Sequence, residues 1–386
     1  MTFERGFPVS EFETRVQNAQ AKMRAADMDA LLFMSEREFT YFAGFQSNFW
    51  QSPTRPWFLI LPAEGKPIAV IPSIGENALS ISWIDDVRIW ASPNPEDEGI
   101  SLLSDTLKGL AKRHGRVGVP MGPETHLRMP ANDVAKLQSA LGHVDMVDAT
   151  AILRTLRMVK SDWEIAKHKY ICGLVSDAYE NFGNIAKSGM SEREILAAHR
   201  LDVLSRGADT VPYIVATAAQ DGTDDAIRFP NDRPLVDGDV LFIDTGAEID
   251  GYYCDFDRNF AIGWASDATK RAYDLAYRAT DAGIAAVRPG VRACDVWQAM
   301  VDVLASGGAT GGGVGRMGHG VGLHNTEWPS LMAADQTILQ EGMILAIEPG
   351  YDFAPGKMML HEENVVVRAD RAELITRRAP RDIPIL

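Results

Sequence analysis

The first 150 residues alternate between helical and strand patterns of hydrophobic positions. Apolar side chains recur every three or four residues from Phe12 to Met23, and the pair Ser10 and Glu13 forms a capping box at the start of this pattern. Together they predict an amphipathic helix that ends near Asp27. Short apolar runs bounded by turn residues predict strands at "DALLFMS", "WFLIL" (57–61), "PIAVI" (67–71), "RVGVPM" and "VDMVDAT". This alternation is typical of an α/β domain.

A second helix start marks the boundary between two domains. Ser161 and Glu164 form another capping box ahead of a long helical pattern, so the predicted domains are residues 1–155 and 156–386. Two segments of the second domain resemble each other, "GMSEREILAAHRLDVLSRG" (189–207) and "GVRACDVWQAMVDVLASGG" (290–308). Such a repeat predicts a pseudo-symmetric domain with a site between its two halves.

The segment "DGDVLFIDTGAEIDGYYCDFDRNFAIG" predicts a β-hairpin. An apolar strand ends at Asp244, Asp250-Gly251 forms the turn, and the return strand bears Asp255 and Asp257. With a two-residue loop, Asp244 faces Asp257 directly and Asp255 is its diagonal neighbour on the same face. Acidic side chains are therefore expected to crowd one face of this strand pair.

A second hairpin is predicted at "MILAIEPGYDFAPGKMMLHEENVVV", with its turn at Ala354-Pro355-Gly356. Glu348 and Glu362 lie seven residues on either side of Pro355. In a regular ladder these two glutamates oppose each other.

The stretch "GHGVGLHNTEWPS" places a glycine at every second position from Gly318 to Gly322, on either side of His319. Alternating glycine strips a strand of side chains and lets another group approach its backbone closely. We therefore expect His319 to lie against some other part of the site.

The four acids of the two hairpins need a positive partner. Like charges opposite each other destabilise a sheet, and a buried carboxylate without a partner is costly. Arg258 is the one arginine near them in sequence and cannot neutralise four carboxylates. Two divalent cations can, and the predicted ligands are Asp244, Asp255, His319, Glu348 and Glu362. An oxygen-rich set with one imidazole suits Mn, Co, Fe or Zn.

Composition narrows the class of protein. The 386 residues are 46% hydrophobic, enough for a large core, and no run approaches the length of apolar sequence that a membrane span needs. The N-terminus lacks an apolar leader, and the 3 cysteines form no paired motif, so a cytoplasmic protein is expected. The formal net charge of -15 argues against nucleic acid as a partner.

These motifs resemble one known family. Residues 160–380 resemble the pita-bread metallohydrolases, the group of prolidase, aminopeptidase P, methionine aminopeptidase and creatinase, through "LFIDTGAEIDGYYCDFDR", "GHGVGL", "AIEPG" and "HEENVVV". The first 150 residues resemble the N-terminal domain that prolidase, aminopeptidase P and creatinase share. The resemblance implies an α/β (α+β) chain, with an N-terminal α/β domain and a C-terminal pseudo-twofold pita-bread domain.

The resemblance also implies a role for each predicted ligand. Asp244 would bind one metal, Asp255 and Glu362 would bridge both, and His319 and Glu348 would bind the second. Two cations about 3.5 Å apart lower the pKa of water and polarise a carbonyl under attack, with Mn the first expectation. The base is Glu348 or Glu362, and Glu348 is favoured. The family further implies a homodimer, in which Trp50 of the loop "NFWQSPTRPW" either closes the partner's pocket or belongs to the core.

Two positions depart from the peptidase pattern. Thr326 stands before Glu327 where prolidase and aminopeptidase P have a second histidine, and Arg228 stands nearest the place of another. His324 is two residues from Thr326, on the same face if the strand is extended, and is a candidate replacement. Arg228 could bind a substrate carboxylate through both arms of its guanidinium, or pair with a nearby aspartate. His361 is expected to point away from the metals and to pack.

The leading hypothesis is therefore an Xaa-Pro dipeptidase that acts on dipeptides or short peptides. The alternatives are a creatinase-like amidinohydrolase or a lyase acting on a small nitrogen- or carboxylate-containing substrate. A catalytically inactive binding protein is less favoured, because all five predicted ligands are present.

Overall fold

The computed structural model describes residues 4–309 and 315–386. The chain forms two compact units, one up to Arg157 and one over Met158–Leu386. Among the described residues, none of the helices combines the length and the apolarity needed to cross a membrane.

The N-terminal unit is built on a mixed six-stranded sheet with the strand order β4-β3-β2-β1-β5-β6. Its strands are β1 (Ala30–Phe33), β2 (Phe58–Pro62), β3 (Ile68–Pro72), β4 (Asp86–Trp90), β5 (Arg116–Val119) and β6 (Asp145–Asp148). Its helices are α1 (Val9–Ala25), α2 (Glu36–Ala43), α3 (Glu76–Leu79), α4 (Ile100–Leu110), α5 (Ala131–Leu141) and α6 (Thr150–Met158), whose last residue belongs to the second unit. Leu32, Ile60, Leu103, Leu107 and Leu137 join the sheet to α4 and α5 in one apolar core.

The first helix begins earlier than its sequence predicts. Pro8, with φ -66°, stands at the N-cap and helix α1 starts at Val9, so the predicted capping box of Ser10 and Glu13 is wrong. Ser10 instead lies in the first turn, where its carbonyl oxygen accepts a hydrogen bond from the Thr14 hydroxyl. Proline suits this position because its ring presets φ and the N–H it lacks would have no partner there.

Within the described residues, the second unit contains two larger sheets, a two-stranded hairpin and five helices. The first sheet comprises β7 (Thr210–Gln220), β8 (Asp239–Ile249), β9 (Tyr252–Tyr253) and β10 (Phe256–Ala261). The second comprises β11 (Gly318–Gly320), β12 (Glu327–Ser330), β13 (Ile344–Ile347), β16 (Glu363–Val367) and β17 (Ala372–Leu374), with a hairpin of β14 (Gly350–Ala354) and β15 (Lys357–Leu360). The helices are α7 (Asp162–Glu180), α8 (Phe182–Ile185), α9 (Glu192–Ser205), α10 (Asp267–Ala286) and α11 (Ala293–Ser306). The capping box predicted at the start of α7 is present.

The two repeated segments adopt matching structures. Helix α9 follows Gly189 (φ 88°) and helix α11 follows Gly290 (φ 87°). The Gly189 N–H donates to the carbonyl of Leu235, and the Gly290 N–H donates to that of Leu339, at 2.9 Å in both cases. Both helices also begin with a capping-box arrangement. The shared backbone contacts support the two related halves that the sequence repeat predicts.

Side-chain alternation in the sheets separates an outer face from an inner one. In β8, Thr245 contacts Tyr179 of α7 and His199 of α9, so its neighbour Asp244 points to the opposite face. In β13, Leu345 and Ile347 pack against α10 and α11, so the intervening Ala346 faces the other way. The helices therefore cover the outer faces and leave the inner faces to the predicted ligands.

Candidate metal centre

The β8–β10 hairpin has the register that its sequence predicts. Asp250 (φ 50°) and Gly251 (φ 81°) form the two-residue turn, and Asp244 pairs with Asp257. The strand does not end at Asp244, however, because β8 continues to Ile249. Both turn residues have positive φ, as a tight hairpin requires, and the ladder therefore continues up to the turn.

The second acidic hairpin also follows the predicted register. Ile347 pairs with Glu363 at the end of the β13–β16 ladder, so the next pair outward is Glu348 and Glu362. The ladder resumes beyond them with Gly350 opposite Leu360. The two glutamates lie where the long hairpin passes from the second sheet into β14 and β15.

Close packing explains the glycines around His319. A Cβ on Gly318 would lie 2.3 Å from the Ala346 carbonyl oxygen, and one on Gly320 would lie 2.1 Å from that of Trp328. His319 itself pairs with Ala346 and therefore shares its inner face. Glycine on both sides thus lets the neighbouring strands close on this histidine, as the alternation predicts.

The structure brings four of the five predicted ligands into direct proximity. Ligand atoms of Asp255, His319 and Glu362 all lie within 4.8 Å of one another. His319 Nε2 is 3.4 Å from Glu348 Oε1 and 3.7 Å from Asp255 Oδ2. Asp244, from the facing strand, acts on the same cluster, since its charge raises the pKa values of Asp255, Glu348 and Glu362.

His319 presents a lone pair to the carboxylates rather than a positive charge. Its Nδ1 lies 3.0 Å from the Gly320 carbonyl oxygen, which can only accept, so Nδ1 bears the proton. Burial, reinforced by the nearby charge of Arg316, lowers the pKa of His319 to about 3. A neutral imidazole with its second nitrogen fixed by a carbonyl is the form that ligates metals.

The carboxylates hold protons when no cation accompanies them. Loss of water contact raises the pKa of Asp244 to about 7 and that of Glu348 to about 8. Burial first, and then the charges of their neighbours, raise the pKa values of Asp255 and Glu362 well above the usual range. Among the described residues, the buried Oδ1 atoms of Asp244 and Asp255 have no hydrogen-bond partner. This oxygen-rich donor set, with two carboxylate oxygens left without a partner and one neutral imidazole, fits divalent cations.

The sequence patterns did not identify three residues that lie at the site. Tyr213, on β7, donates a side-chain hydrogen bond that lowers the pKa of Asp244. The side-chain oxygen of Asn364 accepts a hydrogen bond of 3.0 Å from the Asp255 N–H, which ties the first hairpin to the second. Arg316 lies beside Glu348. Asn364 could have been found, because strand alternation places it on the face of Glu362, whereas the other two depend on tertiary packing.

Arg228 does not reach toward the ligand cluster in this structure. Its Nη1 and Nη2 donate to the two carboxylate oxygens of the buried Glu192, at 2.7 and 2.5 Å. Glu192 also accepts the backbone N–H groups of Ala218 and Asn231. The guanidinium therefore pairs within the protein, as the second alternative has it, but its main partner is a glutamate, and the nearby aspartate Asp225 lies 4.0 Å from Nε.

The premise for His324 as a replacement histidine is wrong. Residues 322–326 form a bend, so His324 and Thr326 do not alternate on one extended strand. The His324 N–H donates to Glu327 Oε1 at 3.1 Å, and its carbonyl accepts the Gly322 N–H. The tight approach of Gly322 to the Glu327 carboxylate accounts for the bend.

His361 and Trp50 both pack within their own units. The His361 ring is buried, with its centroid 4.2 Å from that of Tyr273, as expected for a side chain that packs and points away from the predicted ligands. Trp50 lies in a 3₁₀ helix at Asn48–Gln51, 5.1 Å from Phe39 by ring centroids. Its ring thus belongs to an aromatic cluster of the N-terminal unit.

A carboxylate cage with one neutral imidazole can hold divalent cations, which activate water in metal-dependent hydrolases. Residues 166–369 match metallopeptidase family M24, and residues 15–159 match the creatinase/prolidase N-terminal domain. The chain therefore belongs to metallopeptidase family M24, and the predicted pita-bread fold is confirmed.

The proteins similar to this chain align with almost its whole length. The probable dipeptidase PepE of Mycobacterium bovis is 27% identical over 387 residues, which cover 99% of this chain and 98% of its own length. The crystal structure of dipeptidase PepE from Mycobacterium ulcerans is 29% identical, with a TM-score of 0.85 and 99% of each chain covered. A recombinant prolidase from Thermococcus sibiricus has a TM-score of 0.86 over 97% of this chain and 99% of its own, and at 24% identity it supports the fold alone.

Proposed function

We propose that this chain is a dinuclear metal-dependent dipeptidase that cleaves the Xaa-Pro bond of dipeptides or short peptides. The observation that supports it most strongly is the neutral Nε2 of His319, 3.4 Å from Glu348 and 3.7 Å from Asp255. One neutral nitrogen among acids with raised pKa values is typical of a set of metal ligands rather than of a network of ion pairs.

The proposed ligand roles follow the family pattern. Asp244 would bind one ion, Asp255 and Glu362 would bridge the two, and His319 and Glu348 would bind the other. When bound, two divalent ions supply Lewis-acid activation of water and of the peptide carbonyl. Mn²⁺ is the first choice, because oxygen donors predominate and only one donor is nitrogen.

Glu348 is the proposed general base. Its side chain is 17% exposed, whereas Glu362 is 2% exposed. A proton accepted by Glu348 can therefore pass to solvent, while Glu362 is enclosed by protein. Arg316, at 3.8 Å from Glu348, favours the ionised carboxylate that a base requires.

Thr326 stands where prolidase and aminopeptidase P have a histidine, and this difference supports a second candidate reaction. Removing one positioned donor typically costs about 10²- to 10³-fold in rate, and Arg228 is engaged with Glu192. This departure favours, as the second candidate, a creatinase-like amidinohydrolase or a lyase on a small nitrogen- or carboxylate-containing substrate.

The proposed setting is a cytoplasmic homodimer. The family resemblance supports the dimer, and the three cysteines, which are free and form no paired motif, favour a reducing compartment such as the cytoplasm. A contact of Trp50 with a partner's pocket would require its ring to leave the cluster with Phe39.

The first experiment measures proline release from Ala-Pro and Gly-Pro after Mn²⁺ loading, with Glu348→Ala as the inactive variant. Asp352→Asn, an exposed acid on the adjoining hairpin, is the matched control. Release by wild type and control alone supports the dipeptidase. No release from folded, metal-loaded wild type refutes it and directs the search to amidino compounds.

A further inference from the structure

Arg316 lies at the rim of the carboxylate cage with most of its donors unused. Its Nη2 donates to Thr326 Oγ1 at 3.3 Å, and its Nε lies 3.8 Å from Glu348 Oε1. A guanidinium has five N–H donors. Among the described residues, 4–309 and 315–386, the bond to Thr326 is the only hydrogen bond that the Arg316 guanidinium makes. Its side chain is 32% exposed, so the remaining donors are accessible from solvent.

Other arginines near the site are fully engaged. Arg228 uses both arms on Glu192. Arg258 is buried and pairs with Glu363, while its other arm donates to the carbonyls of Asp257 and Glu362. Arg316 is different, because it touches the cage and keeps free donors.

The position of Arg316 suits the free end of a short peptide. In a dipeptide, the terminal carboxyl carbon is separated from the carbonyl carbon under attack by three bonds, and therefore by at most about 4 Å. A group that binds this carboxylate must accordingly lie within a few ångströms of the cage. Arg316 meets that requirement, and in a chain of net charge -15 a substrate anion needs such a local cation.

We propose that Arg316 binds the free α-carboxylate of a dipeptide substrate and thereby sets a preference for dipeptides over amidated or extended peptides. The assignment rests on the proposed peptidase function. Thr326 is the positioning residue, because its hydroxyl accepts from Nη2, and within the described residues Nη1 makes no hydrogen bond that would compete with a substrate. The same substitution that removes the expected histidine thus provides the contact that orients this arginine.

The test compares kcat/KM for Ala-Pro and Ala-Pro amide in wild type, Arg316→Gln and Arg316→Lys. Loss of charge-assisted hydrogen bonds should lower the value for Ala-Pro about 10- to 100-fold in Arg316→Gln. The value for the amide should fall by clearly less, because the amide shares only the loss of the Arg316 charge beside Glu348. Arg316→Lys should fall between, because it keeps the charge but loses the planar fork. The control is Arg278→Gln, an exposed arginine paired with Asp274 on α10.

A binding measurement separates substrate recognition from effects on the metals. Bound metal is quantified for each variant, and L-proline and L-prolinamide are titrated calorimetrically into the metal-loaded protein. Wild type should prefer L-proline, and Arg316→Gln should lose that preference with its metal content unchanged. Loss of metal, an equal fall for acid and amide, or failure of wild type to bind L-proline would each overturn the assignment.

The outcomes also distinguish this inference from the proposed function. If wild type prefers the carboxylate through Arg316 but hydrolyses no dipeptide, the dipeptidase proposal fails and the binding role stands. If wild type hydrolyses Ala-Pro and its amide equally well, the dipeptidase proposal stands and the role of Arg316 fails.

Discussion

Lys160 and Glu327 form a buried ion pair, with Nζ 3.5 Å from Oε2 and side chains 1% and 2% exposed. Lys160 precedes Ser161, the N-cap of α7, and Glu327 is the first residue of β12. The other oxygen of Glu327 accepts the His324 N–H, and a Cβ on Gly322 would lie 2.3 Å from this carboxylate. One ion pair therefore holds the bend that follows the glycine-flanked histidine.

Replacing Lys160 with methionine should destabilise the second unit strongly. The substitution leaves Glu327 charged in a buried environment, and breaking a buried pair in this way costs about 3–5 kcal/mol in the free energy of unfolding. The control is Lys169→Met, which removes an exposed pair with Glu373 and should cost at most about 1 kcal/mol. Denaturant unfolding followed by circular dichroism measures both, and equal losses would contradict the proposed role of the buried pair.

The metal-free protein should lose stability as pH rises through the raised pKa values of its buried acids. Asp244 and Glu348 have folded pKa values of about 7 and about 8, against ordinary values of 3.8 and 4.5, so the folded state binds more protons in between. The free energy of unfolding therefore falls with pH in that window. His319, whose folded pKa is about 3, has the opposite effect, but only up to its ordinary value of 6.5.

We therefore expect the Tm of the metal-free protein to fall between pH 6.5 and pH 8. Added Mn²⁺ should raise the Tm, and by more at the upper end, because the ions favour the ionised carboxylates. Differential scanning calorimetry with and without a chelator tests this. A gain from Mn²⁺ that does not depend on pH would mean that these acids are not its ligands.

The ligand geometry was more predictable from sequence than its surroundings. Hairpin registers follow from strand periodicity and turn type, so the pairs Asp244 with Asp257 and Glu348 with Glu362 could be placed before the fold was known. The bend at 322–326 could not, because it depends on the buried Glu327 carboxylate rather than on local pattern. Arg316 was missed for the same reason, since only tertiary packing brings it to Glu348.

Arg228→Gln tests whether that arginine serves the fold or the substrate. Glu192 is fully buried and receives both arms of the Arg228 guanidinium, so the substitution should lower the free energy of unfolding by about 3–5 kcal/mol. The matched control is Arg193→Gln, whose partner Asp232 is exposed. Unfolding experiments and KM are measured together. An unchanged stability with a raised KM would instead restore the role in binding a substrate carboxylate.

Asp255 and Asp257 provide the sharpest test of the proposed metal ligands. Both are buried acids two residues apart on one hairpin, but only Asp255 lies within 4.8 Å of the ligand atoms of His319 and Glu362. We expect Asp255→Asn to abolish activity and metal binding together. Removing the hydrogen-bond partner of a metal ligand lowers metal affinity by roughly 10- to 100-fold, and removing the ligand itself should lower it further. Burial raises the pKa of Asp257 well above its usual range, so Asp257→Asn replaces a protonated acid with a similar shape and should retain both ions. Metal analysis after dialysis measures both variants, and a fully metallated, active Asp255→Asn protein would rule out the proposed cage.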